Sequence, residues 1–189
     1  MDVARSFQAN SSPAYTVVNG NTYTDPDLLL IDNNARFDTV IFEFDVTLDD
    51  NTRLLLVDYQ FASEEYPEYV GSVFNDSFGF FISGGDLNQT YNIARVVDNS
   101  VQITTENIQN YAKVTINSVN GGVPGANASG APSIYTNSAY YINNANKSVT
   151  VEYDGMTKRL QAVLDNLTPG QTYHFKMAIA DARDAALDS

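Results

Sequence analysis

Alternation of apolar and polar residues with a period of two recurs along this chain and constrains its fold more than any other feature. In one segment Phe42, Phe44 and Val46 are separated by single polar residues, and the same period occupies 173–179 and 149–153. Because successive side chains of a β-strand point to opposite faces, this period predicts strands with one buried face. Further strands are predicted over 53–62, 77–83, 91–96, 112–119 and 160–164.

Turn signals such as Asp154-Gly155 and Thr168-Pro169-Gly170 separate the predicted strands. Roughly ten short strands joined by such turns are typical of an all-β fold. We therefore predict a two-sheet antiparallel β-sandwich of the jelly-roll type, with 149–164 as a hairpin around Asp154-Gly155. We treat 1–189 as a single ligand-binding domain cut from a longer protein.

The charge balance excludes several classes of partner. The chain has 10 Lys and Arg against 23 Asp and Glu, a net charge of −13. Nucleic acid and anionic membrane surfaces need a cationic face, so neither is an expected partner. No apolar run is long enough to span a membrane, and we expect no membrane insertion.

Few residues of this chain could perform catalysis. It contains no Cys, which excludes disulfides, thiolate metal sites and cysteine nucleophiles. The single histidine, His174, is predicted to be a half-exposed strand residue without a catalytic partner. Glu64 and Glu65 are a poor glycosidase pair, since such pairs come from separate elements that flank a groove. We expect no enzymatic activity.

The acidic residues are mostly of one kind: 17 are Asp and 6 are Glu. Short Asp and Asn side chains favour turns and loops, and their oxygens are the hard ligands that Ca²⁺ prefers. An acidic β-protein repels itself unless cations lie among its loops. We therefore expect several Ca²⁺ ions.

The segment Ser63–Asp76 is the strongest candidate for such a site, because it carries three Glu between predicted strands. Glu64 and Glu65 would point to opposite faces of a regular strand. Pro67 cannot donate to a strand ladder, so we expect the strand to end before it and the carboxylates to converge with Asp76. A Ca²⁺ ion would then relieve their repulsion. The alternative is a solvated acidic loop.

A second acidic cluster follows Ile179, where we expect the strand to end and an Ala-rich acidic tail to begin. Asp181, Asp184 and Asp188 are spaced so that a helix would line them on one face, which like charges disfavour. A loop around a cation and a frayed terminus both remain open. Asp25-Pro26-Asp27 likewise either binds an ion or opens a turn.

Aromatic residues in the irregular segments are candidate ligand contacts. The segment 117–138 is longer than an ordinary connection and is either functional or disordered. The acidic segment Ser63–Asp76 contains Tyr66 and Tyr69, and the segment 117–138 contains Tyr135. Their rings can form a binding wall, although they could equally cover the rim of the sandwich. Asn75 is a further candidate, as a polar residue that contacts the ligand.

Several motifs give the chain a family resemblance. The segments Phe61–Val70 and Phe74–Gly84 resemble the signature of bacterial choice-of-anchor L domains, and 153–157, 169–173 and 179–189 fit its later half. Within that family the chain is most similar to the calcium-dependent peptide-binding domain of RTX adhesins. The resemblance covers roughly residues 37–189.

The resemblance implies a secreted, surface-displayed module that captures extended peptides or protein C-termini on target cells for colonisation and biofilm formation. We expect such a module to be monomeric. Family members continue past Asp188-Ser189 into a further strand, so either this chain is trimmed or its sheet has an open edge. The acidic positions implied as Ca²⁺ ligands are Glu64, Glu65, Asp76, Asp154, Asp181, Asp184 and Asp188.

Two other functions fit the same sequence. A calcium-dependent lectin-like domain is the main alternative, because a jelly roll whose loops bind Ca²⁺ can also hold a sugar. The other alternative is a structural spacer that uses Ca²⁺ only for stiffness. A glycan array and a C-terminal peptide array would separate the three, since a spacer binds to neither.

Overall fold

The structure is a computed structural model that describes residues 24–97, 102–129, 137–184, 187 and 189. Within these residues the chain forms eleven β-strands and one short helix, α1, at Pro26–Leu29. Single-turn 3₁₀ helices occupy Ile108–Asn110 and Ser138–Tyr140. The strands are β1 Ala35–Thr47, β2 Leu55–Tyr59, β3 Ala62–Ser63, β4 Ser77–Gly84, β5 Tyr91–Asn92, β6 Arg95–Val96, β7 Ala112–Thr115, β8 Tyr141–Asn143, β9 Gly155–Thr157, β10 Leu160–Leu164 and β11 Thr172–Ala182.

The largest sheet is antiparallel and has six strands. Its order is β1-β11-β4-β7-β6, and β5 pairs with β4. The long strands β1 and β11 arise from the two clearest alternating segments of the sequence, and they pair with Phe44 opposite Phe175. The rings of these two residues stack with centroids 5.3 Å apart. Cross-strand aromatic pairs of this kind stabilise a sheet.

A second layer packs on one face of this sheet. Strands β10 and β2 form a two-stranded sheet, and β3, β9 and β8 form a three-stranded one. The main core lies between the layers, where Phe80 and Phe175 of the large sheet and Leu160 and Leu164 of β10 are buried together. Each such side chain contributes about 1.5–3 kcal/mol on burial. The predicted all-β antiparallel class is confirmed.

Helix α1 covers part of the opposite face of the large sheet, where Leu28 packs against Phe81. Asp25 caps this helix by accepting hydrogen bonds from the backbone N–H groups of Asp27 at 2.9 Å and Leu28 at 3.1 Å. Asp25 and Asp27 also form ion pairs with the buried Lys176 of β11. The Asp25-Pro26-Asp27 motif therefore opens a helix and neutralises a buried lysine.

The hairpin predicted for 149–164 is wrong. Residues 149–152 form bends, and β9 pairs with β3 and β8 while β10 pairs with β2. The reason is the buried Asn144, whose Nδ2 donates to the carbonyls of Val151 at 3.1 Å and Tyr153 at 2.8 Å. Its Oδ1 accepts from the N–H of Val149 at 2.8 Å. These side-chain bonds occupy the backbone groups that a strand ladder would use.

The predicted end of the last strand is also wrong. Strand β11 continues through Asp181 to Ala182, because β4 pairs with it as far as Ala180 and β1 pairs with it to its end. Ala180 pairs with Ser77 of β4, and Asp181 pairs with Phe37 of β1. Asp181 is therefore a strand residue and not part of a loop.

Candidate functional site

Two irregular segments form one unit at the end of the sandwich: the acidic loop, Ser63–Asp76, and the Gly-rich loop, 117–129. Three backbone hydrogen bonds join them, including Gly125 N–H to the carbonyl of Val70 at 2.9 Å. A Cβ on Gly125 would lie 2.2 Å from the carbonyl oxygen of Glu68, so only glycine fits there. The long Gly-rich connection thus serves to hold the acidic loop.

Two acidic side chains of the acidic loop are buried. Asp76 is 0% exposed and Glu65 is 2% exposed. Ser63 lies between them, since its hydroxyl donates to Asp76 Oδ2 at 3.1 Å and accepts from the N–H of Glu65 at 2.9 Å. Asp76 also accepts from the N–H of Ala182 at 3.0 Å and from the hydroxyl of Ser189. Carboxylates at this depth are uncommon unless a partner compensates their charge.

Burial changes the protonation of both groups. It raises the pKa of Asp76 to about 7, although hydrogen bonds from Ser189, Ala182 and Ser63 oppose the change. Burial, and then the charges of Asp76 and other nearby acids, raise the pKa of Glu65 to about 10. Glu65 Oε2 is buried and has no hydrogen-bond partner among the described residues. An unpaired buried polar atom costs about 1–3 kcal/mol.

Other predicted residues surround Glu65. Asp184 is exposed and Glu64 is half-buried, and both are close enough to raise the pKa of Glu65 after burial itself. Tyr69 is half-buried, with its ring edge-on to Phe74 at a centroid distance of 5.1 Å. Burial and then Glu65 raise the pKa of Tyr69. The structure thus gathers Glu64, Asp184 and Tyr69 around the buried pair.

The remaining predicted ligands are placed differently. Asp181 is buried in β11, next to the Ala182 whose N–H binds Asp76. Asp154 forms an ion pair with Lys147, so its charge is already compensated by a cation. Asp188 and Tyr135 lie outside the described residues.

Two predicted ligand contacts are structural residues. Tyr66 is fully buried, its hydroxyl donates to the carbonyl of Val119 at 2.5 Å, and its ring packs against Tyr141 at 5.0 Å. Asn75 is 8% exposed and uses both amide atoms, donating to Asp32 at 2.6 Å and accepting from the N–H of Asn117 at 2.9 Å. Neither side chain presents a binding surface.

Sequence reasoning missed two residues that build the site. Asn117 accepts from the N–H of Gly71 at 2.6 Å and donates to the carbonyl of Ser72 at 2.9 Å, which fixes the acidic loop to the Gly-rich loop. Ser63 links the backbone of Glu65 to Asp76. Nothing in the sequence distinguished them, because Asn and Ser are common throughout this chain.

The donor set fits Ca²⁺ in chemistry but is small. Carboxylate and hydroxyl oxygens are the hard ligands that Ca²⁺ takes, and Ca²⁺ needs six to eight of them. Among the residues that the structure describes, no group of three or more His, Asp or Glu side chains is close enough to hold a metal ion. The observation that bears on a cation is the Oε2 of Glu65, which has no hydrogen-bond partner among the described residues and lies beside a second buried carboxyl.

Comparison with known proteins supplies the family. The profile of the choice-of-anchor L domain matches residues 2–189. The chain belongs to the choice-of-anchor L family. The match also includes residues before 37, which carry no recognisable motif of the family. No curated protein and no solved structure matches the chain.

Membership in the choice-of-anchor L family assigns the general role. The family is non-enzymatic and surface-associated, so the chain is a cell-surface anchoring or adhesion-related module of an extracellular or surface protein. In the part of the chain that the structure describes, no helix has the length and apolar character needed to cross a membrane.

Proposed function

We propose that this choice-of-anchor L domain is a calcium-dependent peptide-binding module of a secreted bacterial adhesin of the RTX type. It captures extended peptides or protein C-termini on other cells and promotes colonisation and biofilm formation. The observation that carries the proposal is the buried Glu65–Asp76 pair with its unpaired Oε2 atom.

A cation at this pair explains its burial. Without one, burial favours the neutral form of each carboxyl, and the charge of Asp76 further favours the neutral form of Glu65, as their raised pKa values express. The residues that would hold Ca²⁺ are Glu65 and Asp76, with Glu64, Asp181 and Asp184 nearby. Bound there, Ca²⁺ supplies positive charge and positions for further oxygen ligands.

A free carboxylate at the end of a peptide suits such a site. A protein with a net charge of −13 repels acidic ligands unless a cation intervenes. The C-terminus of a peptide combines one carboxylate with an extended backbone that loop groups can bind. Tyr69, on the rim of the acidic loop, is the aromatic residue placed to contact that peptide.

Calorimetry of one peptide in two forms tests the proposal. A pentapeptide with a free C-terminus should bind in Ca²⁺ and not in chelator, and its C-terminal amide should not bind in either. Asp76→Asn should weaken both Ca²⁺ and peptide binding, because Asn keeps the size and one oxygen but loses the charge. Glu106→Gln, an equal loss of charge at an exposed residue, is the matched control.

Two results would contradict this function. Equal affinity for the acid and the amide would refute capture of the carboxylate. Undiminished peptide binding by Asp76→Asn at limiting Ca²⁺ would show that the buried pair does not act in binding.

One observation favours the lectin-like alternative. A cavity of about 390 Å³ is lined by Asp86, Asn88, Tyr91, Thr104 and Asp165, among others. Such acceptors and donors suit the hydroxyl groups of a sugar. A glycan array probed beside a peptide array would favour this function if only the glycans bind.

A further inference from the structure

A basic pocket lies on the face of the large sheet that α1 covers. It has a volume of about 150 Å³, and its walls include Arg95, Lys113, Asn92, Ile31, Phe81 and Asp27. Ile31 and Phe81 are apolar, whereas Arg95 and Lys113 are two of only 10 basic residues in this acidic chain. The pocket is therefore an unusual concentration of positive charge.

Arg95 is buried, and no described acid forms an ion pair with it. It is 3% exposed, and among the described residues its guanidinium donates only to neutral oxygens: the carbonyl of Asn92 at 3.1 Å, the carbonyl of Tyr111 at 3.2 Å and Gln109 Oε1 at 2.7 Å. A guanidinium has five N–H donors, so two have no partner among these residues. None of the ion pairs among the described residues includes Arg95, whereas Lys147, Arg159 and Lys176 each pair with Asp.

Lys113 adds a second cation to the wall of the pocket. It stands directly opposite Arg95 in the β6–β7 pair, an arrangement that destabilises a sheet when the charges are alike. Its Nζ donates to the carbonyls of Leu30 and Ile31, and no described carboxylate forms an ion pair with it. Burial and then Arg95 lower the pKa of Lys113, and the charge of Asp32 partly opposes them.

Asn92, which lines the same pocket, has a buried donor without a partner among the described residues. Its Oδ1 accepts from the N–H groups of Phe80 and Ala94, at 3.3 and 2.9 Å, which fixes the orientation of the amide. The side chain is 7% exposed, and its Nδ2 has no hydrogen-bond partner among the described residues. Two cations and an orphan amide thus line one cavity, and the acid on its wall, Asp27, is bound to Lys176 instead.

We propose that this basic pocket binds one carboxylate group, carried by a small carboxylic acid or by an Asp or Glu side chain of a partner protein. A planar carboxylate matches the paired N–H donors of a guanidinium. Ile31 and Phe81 accommodate the attached methylene groups. Asp27 on the pocket wall, already bound to Lys176, disfavours a doubly charged anion such as phosphate.

Titration followed by NMR tests this proposal with propionate as the probe and its neutral isostere, propionamide, as the control. All titrations contain chelator and constant ionic strength, so the result is independent of the proposed Ca²⁺ site. Propionate should give saturable shifts at Asn92 and Lys113, and propionamide should give none. Equal binding of propionamide, or tighter binding of phosphate, would overturn the proposal.

Two further ligands distinguish the sources of the carboxylate. A blocked tripeptide with a central Glu is compared with the same peptide carrying Gln. Preferential binding of the Glu peptide identifies a protein side chain as an acceptable source, whereas binding of propionate alone identifies a small acid. Each result supports a carboxylate pocket, and failure of both ligands to bind overturns it.

Variants locate the site. Lys113→Met should weaken propionate binding about tenfold or more, the scale of a charge-assisted hydrogen bond. Lys158→Met removes the same charge at an exposed residue and should leave the affinity unchanged. Arg95→Lys keeps the positive charge but loses the paired N–H donors of the guanidinium, so it should also weaken propionate binding. It replaces Lys113→Met as the test if that variant does not fold. Wild-type affinity in both pocket variants would overturn the assignment.

Discussion

The acidic loop and the basic pocket present the same electrostatic problem with opposite signs. In the acidic loop, Glu65 and Asp76 are buried together, and an acceptor atom is left unpaired. In the basic pocket, Arg95 and Lys113 face each other across two strands, and the unpaired atom is a donor. Burial shifts the pKa of each group toward its neutral form.

A third region shows how the chain compensates charge internally. Lys176 is also buried, but Asp25 and Asp27 lie at 2.8 and 2.5 Å from its Nζ. Burial lowers the pKa of Lys176, and the two aspartates more than offset this and raise it. This difference among the described residues is the basis of our two proposals, a cation at the acidic loop and a carboxylate in the basic pocket.

The largest expected effect comes from removing the charge of one of the two acids that pair with Lys176. Asp25→Asn keeps the helix cap but leaves Lys176 with one acidic partner, and we expect a loss of about 3 kcal/mol in the free energy of unfolding. Urea denaturation measures it. Asp58→Asn, which removes the exposed partner of Arg159, should cost less than about 1 kcal/mol. Equal effects would show that burial does not separate these pairs.

Calcium should have the next largest effect, and only through the acidic loop. Saturation at a hundredfold excess over Kd stabilises the fold by about 2.7 kcal/mol per site. For a chain of this size that raises Tm by about 5–10 °C. Mg²⁺ should act more weakly, because it dehydrates reluctantly. Melting curves with Ca²⁺ and with chelator measure the difference, and identical curves would refute the site.

Glu65→Gln should change the stability of the fold in opposite directions in chelator and in Ca²⁺. In chelator at pH 8 the variant should be more stable than the parent, because no buried carboxyl must stay protonated. In Ca²⁺ it should be less stable than the parent, because the ligand charge is lost. Glu106→Gln should follow the parent in both conditions, and the same behaviour from Glu65→Gln would contradict the assignment.

For each group and each pH unit, the change in stability should be smaller but specific. Folding raises the pKa of Asp76 from 3.8 to about 7 and that of Glu65 from 4.5 to about 10. Their contribution is therefore fully present below pH 4 and is lost as the pH rises through 7 and then 10. In chelator we expect a decline of up to about 1.4 kcal/mol per pH unit for each group.

Ca²⁺ should flatten this decline, because it stabilises the ionised forms. Urea denaturation at pH 5, 6, 7 and 8, with Ca²⁺ and with chelator, gives both slopes. Stability that rises with pH in chelator would contradict the burial of uncompensated acids.

The smallest expected effect separates the supports of the two regions. The acidic loop is tied to the Gly-rich loop by the Tyr66 hydroxyl, whereas the basic pocket is built on paired strands. Tyr66→Phe should cost about 1 kcal/mol and weaken Ca²⁺ binding, while propionate binding stays unchanged. Tyr69→Phe is the control at the rim. Equal loss of both ligands would show that the two regions are not independent.

The strand pattern and the acidic motif were predictable from the sequence. Alternation in 42–48 and 173–179 predicted strands that became β1 and β11, because burial of one sheet face requires that period. Glu65 and Asp76 were found because they are close in the chain and Pro67 breaks the strand between them. The family motifs pointed to the same segment.

Other outcomes depended on contacts that no local pattern encodes. Residues 149–153 alternate as a strand does, yet the buried Asn144 takes up their backbone groups. Asp154 pairs with Lys147, a partner that the motif does not reveal.

By itself the sequence determined which segments alternate and where its acids are dense, since both follow from neighbours along the chain. Tertiary structure alone decided which charges lose their water and which partner they meet. Arg95 and Lys113 are 18 positions apart in the sequence and directly opposite in the sheet. Burial and strand register set the cost of a charge, and both are determined only when distant segments pack together.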